Sequence, residues 1–388
     1  MKYKFIKMED ALETLIDYRG KTPKKSNEGI ITLSAKSVKN NYIDYSQCYF
    51  ISEKEYERFM VRGIPHKGDI LITTEAPLGM VARLDREDVA IAQRLLTLRG
   101  KQGVLDNDYL LYYLQSPIGQ AALKARETGT TVTGIKQAEF RKIEIIIPEF
   151  EIQKKIVSIL RAIDDKISLN NHINNNLLEQ AKTLYKDWFF DFSPFSTDGS
   201  IPYDWRMGTV GDIIQLYDSK RVPLSGAKRD RMEKLYPYYG ATSLMDYVDN
   251  YLFNGIFLLL GEDGTVVDSL GFPILQYVYG KFWVNNHAHV ITGKEGFSVE
   301  ELFLFFSLTN INTIVTGAVQ QKVSQQNLKK VPAIIPTKEV LSAFDNIIQP
   351  IFAQIRTLRD ENLYLADLRD ALLPKLMSGE LDVSDIDF

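Results

Sequence analysis

Lysine, arginine, amide and hydroxyl side chains gather in loop-like segments in both halves of this 388-residue chain. In the first half these are Lys21, Thr22, Lys24, Lys25, Lys36 and Lys39, then Thr73, Thr74, Gln93 and Arg94. The hydroxyl-rich stretch TGTTVTGIK adds Thr130, Thr131 and Lys136. The second half offers Lys220, Arg221, Lys228, Arg229 and Arg231, followed by Tyr239 and Thr242. Asn286, His287, Gln320, Gln321 and Lys322 extend that set. Lys and Arg hold phosphates, whereas Gln, Asn, Thr and Arg can also read base edges in the DNA major groove. The chemistry on offer is recognition of a nucleic acid rather than bond-making.

Signatures of catalysis are missing. Gly20-Lys21-Thr22 ends like a phosphate loop, but Leu15 stands where that loop needs a glycine. No Pro-Pro dipeptide occurs, so an Asn-Pro-Pro-Tyr amino-methyltransferase tetrad is excluded. Neither H-E-x-x-H nor G-x-S-x-G is present. His287 and His289 form a close pair that a strand would place on one face, but no third histidine lies nearby in sequence. The single cysteine, Cys48, excludes an intrachain disulfide and a multi-cysteine zinc site.

Net charge is −4, which argues against generic, charge-driven DNA binding. Its distribution is uneven. Residues 1–147 carry 23 basic against 19 acidic side chains, and residues 336–388 carry 5 against 10. Within Asp218–Lys234 six basic side chains face three acidic ones, so a local basic loop can still meet phosphate. Composition is that of an ordinary globular protein, and no apolar run approaches membrane-spanning length. With one cysteine and no signal-like N-terminus, a cytoplasmic location is expected.

Positioning such loops needs a scaffold, and the chain contains one twice. Residues 128–192 and 316–380 align without a gap at an offset of 188, with seven identities in the first 21 positions. The identities include Thr128/Thr316, Gly129/Gly317, Gln137/Gln325, Lys142/Lys330 and Pro148/Pro336. Upstream the repeat is looser: GDILITTEAPLG (68–79) parallels NGIFLLLGEDGT (254–265). Each half predicts a mixed α/β domain followed by a long helix. Ile152, Ile156, Ile159, Ile163 and Ile167 mark a coiled-coil seam in the first helix, and Val340, Phe344, Ile347, Ile351 and Ile355 one in the second. Both helices start after an Ile-Pro pair. Pro350 should kink the second, and Gly379 should end it. Helices this long are expected to pack on each other antiparallel. Pseudo-two-fold symmetry of that kind suits a two-part site on duplex DNA.

The repeated blocks resemble a known family. IPEFEIQKKIVSILRAIDDKISLNNHINNNLLEQAKTLYKDWFFDF is similar to the central conserved region of type I restriction–modification specificity subunits. DALLPKLMSGELDV resembles the distal conserved region of that family. IDYRGKTP and FISEKEYERFMVRGIPHKGDILITTEAPLG resemble one of its target-recognition domains.

The resemblance implies an α/β (α+β) protein with two target-recognition domains, 1–147 and 193–335. Two long antiparallel helices join them, in the segments 148–192 and 336–380, with an acidic tail at 381–388. It implies a non-catalytic subunit whose domains each read half of a bipartite, asymmetric site on double-stranded DNA. The helices would set the spacer and bind two modification subunits, which are adenine methyltransferases. A restriction subunit carrying motor and nuclease would complete the complex. S-adenosylmethionine, ATP and Mg are then expected on the partners, with no cofactor or metal on this chain. Trp188, Phe189 and Phe192 become candidate partner contacts. Two alternatives are a non-catalytic scaffold and a self-sufficient DNA methyltransferase or nuclease.

Overall fold

The computed structural model describes residues 3–129, 133–317 and 320–386. The chain forms two units, residues 1–169 with 361–388 and residues 170–360.

In unit one the outer strand Tyr3–Lys7 pairs antiparallel with Glu144–Pro148. A four-stranded sheet follows the order Leu12–Asp17, Leu95–Gly100, Ile70–Thr74, Leu78–Arg83. Ile70–Thr74 (ILITT) is buried along its whole length, which suits a run rich in β-branched residues inside a sheet. A second sheet orders Tyr49–Ile51, Ile30–Leu33 and Val89–Ile91, the last two parallel. The helix Asn107–Gln115 starts where the Asp106 carboxylate accepts from the backbone N–H of Asp108 and Tyr109. Its aromatic and leucine residues close the core over the first sheet.

Unit two repeats this plan. Arg206–Thr209 pairs with Pro332–Ile335. The four-stranded sheet runs Ile214–Leu216, Ala288–Gly293, Phe257–Gly261, Leu275–Val278. In the other sheet Tyr236–Tyr239 lies parallel to Lys281–Val284, as Ile30–Leu33 does to Val89–Ile91. Helix Val299–Leu308 begins with a reciprocal capping box between Ser298 and Glu301.

Helix α1 spans Phe150–Phe189 and helix α2 spans Lys338–Ser378, 40 and 41 residues. In unit one Ile156, Val157 and Leu160 of α1 enter the same core as Leu373, Leu376 and Met377 of α2. The two segments run antiparallel there: Asp164 meets Arg369, and Lys166 further along meets Glu361. In unit two Ala181, Tyr185 and Phe189 of α1 share a core with Leu341, Phe344, Ile348 and Phe352 of α2. Helix α2 continues through Pro350, and Gly379 follows it in the left-handed conformation, φ 79°. The asparagine-rich middle of α1 is helical, with Asn170 and Asn174 buried.

Candidate nucleic-acid interface

In unit one several loops converge at one end of the sheets. Thr74 N–H donates to Arg94 O at 3.0 Å, and Ile135 N–H donates to Thr74 O at 2.9 Å. Glu75 forms a β-bridge with Gly134. A Cβ at Gly134 would lie 2.6 Å from Thr74 O, so glycine is what lets the backbone at 134–135 lie against this turn. Ala92 N–H reaches Leu33 O at 2.8 Å, which brings in the loop that carries Lys36. Arg19 Nη1 donates to Ile135 O at 3.5 Å, which adds the loop of Lys21 and Thr22. Lys21, Thr22, Lys36, Arg94 and Lys136 are exposed here and Gln93 is half-buried. Arg94 sits at φ 71°, uncommon for a residue with a side chain. Its Nε meets Glu75 Oε1 at 2.7 Å.

Unit two builds the same cluster with other side chains. Glu262 N–H donates to His287 O at 2.8 Å, matching Thr74 to Arg94. Asp263–Gly264 pairs with Gln321–Lys322, matching the bridge between Glu75 and Gly134. Thr73 lies opposite Leu95, and Gly261 lies opposite Ala288. By that register Arg94 and His287 occupy one position, and Glu75 and Asp263 another. His287 Nδ1 lies 2.6 Å from Asp263 Oδ1. Thr242, Asn286, His287, Gln320 and Lys322 are exposed, with Gln321 half-buried.

Other expected contacts are placed differently. Thr73 and Thr74 are buried, and the Thr73 hydroxyl donates to Pro77 O at 2.6 Å and accepts from Met80 N–H at 2.9 Å. It holds its own turn together and presents nothing to a ligand. Arg221 is committed to Glu262 and Ala288 O, both at 2.7 Å. Arg229 donates to Asp246 at 3.0 Å and Leu224 O at 2.6 Å while stacking over Tyr238. Lys24 N–H is tied to Glu55, and Lys25 lies over the Tyr49 ring. Lys39 belongs to a turn that reaches strand Leu78–Arg83 through Asn41 N–H and Val81 O. Lys220, Lys228 and Arg231 are exposed, and Tyr239 is half-buried against Phe282. Thr130 and Thr131 fall outside the described residues.

The aromatic run ending α1 also departs from expectation. Phe189 and Phe192 are buried and Trp188 is half-buried, packed with Trp205 and Phe344 inside unit two. Phe190 and Phe195 are the exposed members. An amphipathic helix turns only part of the run outward, and the globular part of the unit claims the rest.

His287 and His289 do not share a face. The strand begins at Ala288, so His287 lies in the preceding turn while His289 is fully buried. His289 Nδ1 faces Asp218 Oδ2 at 2.6 Å, and Nε2 faces Val323 O at 2.8 Å. Burial raises the Asp218 carboxyl, but hydrogen bonding and charge from His289, with Val290 N–H and Arg221, hold it below its ordinary range. Asp218, Glu262 and His289 have the spacing of metal ligands. Arg221, Lys322 and Gln325 crowd the same oxygens, so the group reads as an internal charge lock on the 322–325 segment.

Glu75, Asp263 and Asp218 were absent from the sequence-based set. The acidic turns TEAPLG and GEDGT were the available signal. Pairing each acid with its arginine or histidine required the strand register.

Comparison with known proteins gives a consistent result. The profile of the type I restriction modification DNA specificity domain matches residues 2–179 and 202–358. The chain is 28% identical over 361 residues to the type I restriction enzyme MjaIX specificity subunit of Methanocaldococcus jannaschii, covering 87% of this chain and 82% of that protein. It is 22% identical over 398 residues to the type I restriction enzyme HindI specificity subunit of Haemophilus influenzae, covering 81% and 87%. The fold is similar to the S subunit of a type I restriction-modification system from M. genitalium, with a TM-score of 0.57 at 16% identity, covering 97% and 96%.

Proposed function

The chain belongs to the family of type I restriction–modification specificity subunits, and from that premise we infer how it divides the work. It is a DNA-recognition subunit whose two recognition domains each read one half of a bipartite site. The observation that carries this reading is the loop cluster built twice. The backbone frame is the same in both units, but Lys36, Arg94 and Lys136 in one are answered by Thr242, His287 and Ser324 in the other. A shared frame with unlike side chains suits two unlike half-sites.

The finer assignments are part of this proposal. Residues 1–147 and 193–335 act as the recognition domains, and 148–192 and 336–380 as the helices that set the spacer. Two adenine-modifying subunits and the motor–nuclease subunits assemble on this chain. S-adenosylmethionine, ATP and Mg are used by those partners, and this chain performs no catalysis. The test is DNA binding by the chain assembled with its modification subunits. A split duplex motif should be preferred by about a thousandfold or more over unrelated duplex at physiological salt. Equal affinity for all duplexes would refute the reading.

A further inference from the structure

We propose that Arg94 and His287 are the specificity-determining residues of the two recognition units, each held by one carboxylate, with Arg94 reading a guanine. The proposal rests on the DNA-recognition reading and deepens it.

Three observations carry it. First, the two residues occupy one position in the duplicated frame, and each meets the acid of the adjoining turn: Arg94 with Glu75 at 2.7 Å, His287 with Asp263 at 2.6 Å. A pairing kept while both side chains change marks a position built for variable polar contacts. Second, both remain about half exposed, 51% and 47% for the side chains, whereas Arg221 is sealed by its partners at 11%. Third, the acids oppose a phosphate role. The Arg94 guanidinium, already paired with a carboxylate, gains little from a phosphate, and in both units the carboxylate repels one. It keeps its directional N–H donors, now fixed in orientation, which lowers the entropy lost on binding a base edge. The lysines of unit one's cluster, Lys21, Lys36 and Lys136, form no ion pair with an acid among the described residues and suit phosphates as point charges.

The guanidinium meets Glu75 through Nε. The Nη1–Nη2 edge is the opposite edge of the fork, and its two parallel donors match guanine O6 and N7. His287 uses Nδ1 on Asp263, so Nε2 offers a single contact. Discrimination at its position should therefore be weaker than at Arg94's.

The test uses the chain assembled with its modification subunits, its split motif, and that motif with each base pair changed in turn. Arg94→Lys should cut discrimination at one G·C pair of one half-site about tenfold or more and leave the other half unchanged. The slope of log affinity against log salt should stay as in the wild type. His287→Ala should relax one position in the other half only. Full discrimination retained by Arg94→Lys would overturn the proposal. So would a salt slope reduced by about one, the mark of a lost phosphate contact, in Arg94→Gln, which removes the charge that the lysine variant keeps. If Arg94→Lys binds no DNA, Glu75→Gln decides: it should weaken discrimination at that same pair, and an unchanged profile overturns the idea. A wild-type complex without preference for any split motif would instead refute the DNA-recognition reading itself.

Discussion

Arg369 donates to Asp164 Oδ1 at 2.9 Å although 205 residues separate them. The other carboxylate oxygen accepts from Tyr112 Oη at 2.7 Å. One carboxylate thus joins α1, α2 and the helix Asn107–Gln115 inside unit one. Burial and the Asp164 charge raise the Tyr112 phenol well above its ordinary value, so it stays a donor at neutral pH.

Asp164→Ala should lower the stability of unit one by about 2 kcal/mol, since two partly buried donors lose their acceptor. Lys166→Ala breaks only the more exposed pair with Glu361 and should cost about 0.5 kcal/mol or less. Urea unfolding followed by hydrogen exchange in Asn107–Gln115 separates the two. Equal effects would contradict the ranking.

Gln153 is fully buried on α1 and fastens the helix to unit one. It accepts from Asp106 N–H at 3.0 Å and donates to Val104 O at 2.9 Å and Pro148 O at 3.1 Å. Gln153→Leu keeps the volume but strands three backbone groups, so a loss of roughly 2–4 kcal/mol is expected. The repeat-equivalent position in unit two is Leu341, buried without any such duty. A neutral Gln153→Leu in thermal melts would show that the backbone groups find other partners.

Glu301 predicts a pH dependence in unit two. Burial pushes its carboxyl from 4.5 up to about 8, and Asp345 adds to the rise against Ser298, whose N–H it accepts at 2.7 Å. A carboxyl raised in the folded state favours folding while protonated. That contribution is complete below about 4.5 and is lost as pH rises toward about 8. The loss is on the order of a few kcal/mol. Glu301→Gln keeps the acceptor for Ser298 and removes the charge, so stability between pH 5 and 8 should flatten (a window of roughly three pH units). A profile as steep as the wild type would contradict the assignment.

Much of this architecture was legible in the sequence. Apolar residues three and four apart announced α1 and α2, because a helix repeats its buried face at that interval. The 188-residue offset predicted the paired plan. The loops were less legible. Thr73 and Thr74 looked like donors, yet they end a fully buried strand and one hydroxyl is spent on its own turn. Arg221 and Arg229 looked free because Glu262 and Asp246 are distant in sequence and become neighbours only through folding. His287 and His289 were assigned to one face because a strand was assumed to include both, and its true start at Ala288 separates them. Local periodicity reports elements; which charges meet depends on non-local register.

The helices also yield a length prediction. Removing one heptad from the middle of both α1 and α2 shortens each by about 10 Å. At ~3.4 Å per base pair the spacer of the recognised site should contract by roughly three base pairs. An unchanged spacer in a folded variant would show that the helices do not set it.

The central claim is that this chain dictates which split DNA sequence its complex modifies. Genome-wide mapping of N6-methyladenine, in cells with and without the gene and with active partner subunits present, tests it most directly. A two-part asymmetric motif should be methylated when the chain is present and vanish when it is removed. An unchanged methylation pattern would contradict the account.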